Sequence, residues 1–166
     1  LELSQREKDY VIQALDSNRL SYGPLSKKFE SMFAALHDMK YAVFVNSGTS
    51  ALSIALATLK ELHGWKDGDE VIVPSLTFVA TVNVVLEHNL VPVFVDCDSQ
   101  TYNMDASLIE EKITERTCCI MPVHLYGLIA DMGPIMDIAH KHDLRVVEDS
   151  CETIGVNYNG QKTGSF

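Results

Sequence analysis

The stretch Gly68-Asp69-Glu70-Val71-Ile72-Val73-Pro74-Ser75-Leu76-Thr77-Phe78, followed by an apolar run to Glu87 and then by Val91-Pro92-Val93-Phe94-Val95, decides the fold. Glu70 to Pro74 and Val91 to Val95 are continuous apolar runs of strand length, and Phe78 to Glu87 between them reads as a helix. Strands without polar alternation are buried on both faces, and strands separated by helices pair in parallel. The same alternation continues outward. Upstream, Tyr41 to Val45 reads as a strand, followed by a turn and a helix from Ser50 to Leu62. Downstream, Asp105 caps a helix to about Ile113, Cys118 to Val123 is a strand, Asp131 caps a helix to about His142, and Leu144 to Glu148 is a strand. Val156 to Lys162, centred on Asn159-Gly160, reads as a hairpin. Five apolar strands alternating with helices predict an α/β fold whose mostly parallel sheet is covered by helices on both faces.

Ahead of this region the pattern is helical. Ser4-Gln5-Arg6-Glu7 is a capping box, and Tyr10, Val11, Ala14 and Leu15 then recur at helical spacing. Leu20-Ser21-Tyr22-Gly23-Pro24 is a turn-rich loop, and Leu25, Phe29, Met32, Phe33 and Leu36 line a second amphipathic helix. The expected organisation is a helical arm over residues 1–36 and one α/β domain over residues 37–166, which reads as part of a larger domain because no closing element follows the hairpin.

With 166 residues, 46% of them hydrophobic, the chain can bury one sizeable core. Its formal net charge of -10 argues against a nucleic-acid backbone or an anionic membrane surface as the main partner, though not against a phosphorylated small molecule. The four cysteines, Cys97, Cys118, Cys119 and Cys151, show no C-x-x-C spacing, so reduced thiols in a cytoplasmic protein are expected rather than a metal site or disulfides. In a regular strand Cys118 and Cys119 would face opposite ways. The opening residues are no signal peptide, and no apolar run reaches membrane-spanning length.

In parallel sheets the ligand sits outside the carboxyl ends of the strands, and unusual residues fall at those ends here. Asn46-Ser47-Gly48-Thr49-Ser50 joins a strand to a helix, where unpaired N–H groups and a partial positive charge suit an anion and Gly48 permits close approach. An ordinary helix cap explains the same residues. No G-x-G pair and no G-K-[ST] occur, so neither a dinucleotide fingerprint nor a P-loop is present. Asp149 ends a strand buried on both faces and needs a partner: a cation such as a protonated pyridine nitrogen, a buried ion pair, or a helix terminus. Phe78 could offer a stacking face to a flat ring, or simply start a helix in the core.

As an ordered set these segments, continued by Pro122-Val123-His124-Leu125-Tyr126-Gly127 and Val147-Glu148-Asp149, resemble the DegT/DnrJ/EryC1/StrS family of sugar aminotransferases, within the fold type I group of pyridoxal 5'-phosphate (PLP) enzymes. The resemblance implies a large-domain fold of the aspartate aminotransferase type and PLP as cofactor. It places Ser47, Gly48 and Thr49 at the PLP phosphate, Phe78 on the ring, Asp149 at the pyridine nitrogen and Glu152 beside the cofactor. Tyr22, Gly23 and His124 would lie near the substrate or a dimer seam. It further implies a homodimer, and transfer of an amino group, commonly from glutamate, to a keto group of a nucleotide-linked sugar. The family's cofactor-bearing lysine falls beyond Phe166, and none of the lysines from Lys8 to Lys162 matches it. Glu152 departs from the Gln or His usual in the aminotransferases and is similar to the 3-dehydrase branch, in which histidine replaces that lysine. Two further readings stand beside these: a non-catalytic sensor or scaffold on the same fold, and an unrelated α/β ligand-binding domain.

Overall fold

Successive strand residues point to opposite faces of a sheet, and the computed structural model, which describes residues 2–166, divides them between two apolar cores in that way. The chain falls into two compact units, Leu1–Phe44 and Val45–Phe166.

In the first unit, helix α1 (Gln5–Asp16) begins with the predicted capping box, the Ser4 N–H donating to Glu7 Oε2 at 2.6 Å. Helix α2 (Pro24–Leu36) starts with proline in its first turn, where no backbone donor is needed. The Phe44 ring packs against Phe29 at 5.2 Å, and the Phe44 N–H donates to Glu30 Oε1 at 2.9 Å. These contacts hold the chain up to Phe44 against α2.

The second unit contains α3 (Gly48–His63), β1 (Glu70–Pro74), α4 (Val79–Glu87), β2 (Val91–Val95), β3 (Thr117–Ile120), α5 (Met132–Lys141), β4 (Arg145–Val146) and the hairpin strands β5 (Asn157–Tyr158) and β6 (Gln161–Lys162). The sheet has the order β2-β1-β3-β4, with every pair parallel. On one face Ile72 and Ile120 pack with Met132, Ile135 and Ala139 of α5. On the other Val71, Val73, Cys119 and Met121 pack with Leu52 and Leu56 of α3 and Val84 and Val85 of α4. Full burial of each valine, leucine, isoleucine or methionine among them contributes about 1.5–3 kcal/mol. Because β2 and β3 flank β1 on opposite sides, the chain reverses its progress across the sheet there, and a crevice opens at the carboxyl ends of β1 and β3.

Several expectations are corrected. Tyr41 to Val45 is not a strand: no strand among the described residues pairs with it, and without a ladder its backbone must find other partners, as the Phe44 N–H does at Glu30. The helix expected after Asp105 is two 3₁₀ turns, Ala106–Leu108 and Glu110–Lys112. Asp105 Oδ1 accepts from both the N–H and the Oγ of Ser107, closing a tight turn that competes with a regular helix. Asp131 precedes α5 but does not cap it through its side chain, because its carboxylate accepts from the Tyr158 hydroxyl instead. The last strand shrinks to Arg145–Val146, with an isolated bridge continuing at Val123 and Asp149. A register shift lets Glu70 face Thr117 while Val71 faces Cys119, so Cys118 is bulged and packs against the same apolar cluster as Cys119. The Asn159-Gly160 turn is as predicted, both residues taking left-handed φ.

Candidate active site

Most of the candidate residues meet in a cavity of about 320 Å³ at the carboxyl edge of the sheet. Gly48, Thr49, Phe78, His124, Asp149 and Glu152 all line it. A larger, open groove of about 810 Å³ lies between Asp98 and Tyr158 and holds none of the sequence-predicted residues.

One wall is the start of α3. Ser47 is its N-cap, with Oγ accepting from the Ser50 N–H at 3.1 Å. That leaves Ser47 engaged as a cap, while the N–H groups of Gly48 and Thr49 sit in the first turn, where a helix has no partners for them. A Cβ on Gly48 would lie 3.1 Å from Cys151 Sγ, a close approach that would press on the thiol. At the opposite wall Phe78 is the N-cap residue of α4 and is 71% exposed, with its ring available to a ligand rather than in the core.

The floor is Asp149, only 6% exposed. Its backbone is held by the bridge to the loop after β3: the Asp149 N–H donates to the Pro122 carbonyl at 2.9 Å, and the His124 N–H donates to the Asp149 carbonyl at 3.2 Å. Its side chain accepts from Thr81 Oγ1 at 3.0 Å and from the Cys151 N–H at 3.4 Å. None of the ion pairs among the described residues involves it. A buried carboxylate met by the Thr81 hydroxyl, one long N–H contact and the Cys151 thiol, and by no cation among the described residues, calls for a cationic partner.

His124 is fully buried and both ring nitrogens are used within the protein. The Ala130 N–H donates to Nδ1 at 3.2 Å, so the ring proton is on Nε2 and donates to Glu148 Oε2 at 3.0 Å. What His124 presents to the cavity is therefore ring surface. Glu152 Oε2 accepts from the N–H of Tyr126, a non-glycine residue in the left-handed region at φ 56°. Tyr22 and Gly23 lie in the N-terminal unit. The Tyr22 hydroxyl donates to Glu30 Oε2 at 2.7 Å, a bond that raises its pKa, and the Arg19 guanidinium holds the Tyr22 carbonyl. Gly23 is the buried N-cap of α2.

Two participants escaped the sequence reading. Thr81 is fully buried and bridges Thr77 Oγ1, at 2.8 Å, to Asp149. The signal was a threonine in the first turn of a mostly apolar helix, four residues after Thr77. Cys151 packs on Gly48, and burial followed by the hydrogen bond to Asp149 pushes its thiol up to about 11, so it stays protonated at neutral pH.

Fold and cavity together define an α/β protein that offers one small ligand a helix N-terminus, an aromatic face and a buried carboxylate. The chain belongs to the DegT/DnrJ/EryC1/StrS aminotransferase family, whose sequence pattern matches residues 2–166. It is 46% identical to the GDP-perosamine synthase of Caulobacter vibrioides, over 99% of this chain and 43% of that protein. Its fold matches S. venezuelae DesV, solved in complex with a ketimine intermediate, at TM-score 0.91 and 40% identity, over 98% of this chain and 43% of that one. It also matches E. coli GDP-4-keto-6-deoxy-D-mannose-3-dehydratase with bound hydrated PLP, at TM-score 0.94 and 32% identity, over 100% of this chain and 43% of that one. The chain thus spans less than half the length of these relatives. No helix among the described residues is long and apolar enough to cross a membrane.

Proposed function

We propose that the protein carrying this chain is a PLP-dependent aminotransferase that moves an amino group, from glutamate as donor, to a keto group of a nucleotide-linked sugar. It would act as a cytoplasmic homodimer. The observation that carries this reading is the buried Asp149 carboxylate, without a cationic partner among the described residues, facing the start of α3 across a cavity of about 320 Å³. The residues present fit PLP. The N–H groups of Gly48 and Thr49 at the positive end of α3 would hold the phosphate, in a cradle that a side chain at position 48 would crowd. The exposed Phe78 ring would cover one face of the pyridine ring. Asp149, oriented by Thr81, would hold a proton on the pyridine nitrogen. When bound, PLP supplies an electron sink for negative charge developing beside the ring, which amino-group exchange requires.

A second reading is favoured by Glu152, which lines the cavity, and by the likeness to a 3-dehydratase. There the same site would serve removal of a sugar hydroxyl. The higher identity to an amino-sugar synthase supports transamination.

Asp149→Asn in the full-length protein tests the first reading. The amide can keep the Thr81 hydrogen bond, so the fold should melt as wild type, while turnover should fall at least about a hundredfold. Near-wild-type turnover would reduce Asp149 to a structural residue. Borohydride reduction of the wild-type holoenzyme and peptide mapping separate the two readings: a single labelled lysine supports the aminotransferase, its absence the dehydratase.

A further inference from the structure

Glu148 precedes Asp149 and does not line the cavity, yet its carboxylate is nearly enclosed, with the side chain 4% exposed. It has no lysine or arginine partner among the described residues. Instead it gathers three N–H donors from two other parts of the chain. Oε2 accepts from His124 Nε2 at 3.0 Å and from the Gly164 N–H at 2.8 Å, and Oε1 accepts from the Phe166 N–H at 2.8 Å. The loop after β3, the end of β4 and the segment after the hairpin therefore meet at one carboxylate. The histidine cannot adapt: the Ala130 N–H occupies Nδ1, so Nε2 must donate, and only an acceptor at position 148 satisfies it.

We infer that Glu148 is a positioning residue for the cofactor pocket. It fixes the His124 ring that walls the cavity and ties the Gly164–Phe166 segment to the same carboxylate, without touching the cofactor. This rests on the reading of the cavity as a PLP site. The chemistry is strict, because an amide in place of the carboxylate fails in either orientation. Its oxygen can serve Phe166, leaving an NH₂ group against two N–H donors, or serve His124 and Gly164, leaving the NH₂ against Phe166.

The test compares Glu148→Gln with Glu70→Gln in the full-length protein. Glu70 is also a buried carboxylate with several donors, but it sits at the amino end of β1, away from the cavity. The melting temperature of the PLP-free protein, the Kd for PLP and the visible circular dichroism of bound PLP are measured for each. Both variants should melt lower. Only Glu148→Gln should weaken PLP, by about tenfold, and alter the dichroic band. Unchanged affinity and band in Glu148→Gln, or an equal loss in Glu70→Gln, overturns the inference while the cofactor reading stands. A wild-type protein that binds no PLP overturns both. Should Glu148→Gln not fold, Glu148→Asp keeps the charge but withdraws it by one methylene, and the same affinity and band changes are expected.

Discussion

Gly48 shows how much a single residue can carry. Its backbone φ is ordinary, so its glycine character answers to space, namely the Cys151 sulfur at 3.1 Å from any Cβ and the anion expected at the helix start. Two effects compete in Gly48→Ala. Alanine favours a helix over glycine by about 0.5–1 kcal/mol, which stabilises α3, while the added methyl presses on Cys151 and on the phosphate position. The unliganded protein should therefore melt within a few degrees of wild type, whereas PLP should bind about tenfold more weakly. Adding Cys151→Ala should recover part of that loss. Equilibrium titration with PLP decides it, and wild-type affinity in Gly48→Ala would refute the phosphate assignment. Gly48, Phe78 and Asp149, singled out in the sequence at turns between expected strands and helices, do line one cavity. Thr81 was not singled out, since its hydroxyl matters only once α4 lies beside the end of β4.

Among the elements, β1 is tied to the turn before β3 by Glu70. Thr114 Oγ1 donates to it at 2.5 Å, Thr117 Oγ1 at 3.2 Å, and Arg116 pairs with it at 2.9 Å. The Thr114 hydrogen bond leads these effects, and they hold the carboxyl below its ordinary 4.5 despite burial, which works the other way. A pKa depressed in the folded state stabilises in full above the ordinary value, and that contribution is lost as pH falls through the folded value. Chemical denaturation at a series of pH values should show stability declining below 4.5, with Glu70→Gln flattening that decline and lowering neutral-pH stability by about 1–3 kcal/mol. An unchanged acid profile in Glu70→Gln would show that Glu70 does not stabilise the fold through its charge. The same strand pair shows where period-two reasoning stops: the bulge at Cys118 obeys pairing with β1, which the sequence of β3 alone does not display.

For the whole molecule, one sheet carries two cores, and loss of either should be felt throughout the unit that contains it. Ile120 is fully buried against the α5 side, and Ile120→Ala should cost about 2–5 kcal/mol in thermal or urea unfolding; a cost near zero would mean that this face is not close-packed. The sequence by itself determined the α/β class, the parallel sheet and the hairpin, because runs of buried strand residues, helical spacing and an Asn-Gly turn are local signals with a physical cause. It also singled out Gly48, Phe78 and Asp149, which line one cavity. Only the tertiary structure decided that Tyr41 to Val45 lies outside the sheet, because a strand exists only with a pairing partner. It alone revealed that His124 spends both nitrogens inside the protein and that Glu148 joins three segments. Such hydrogen bonds link residues far apart along the chain, so no window of sequence contains both ends of them.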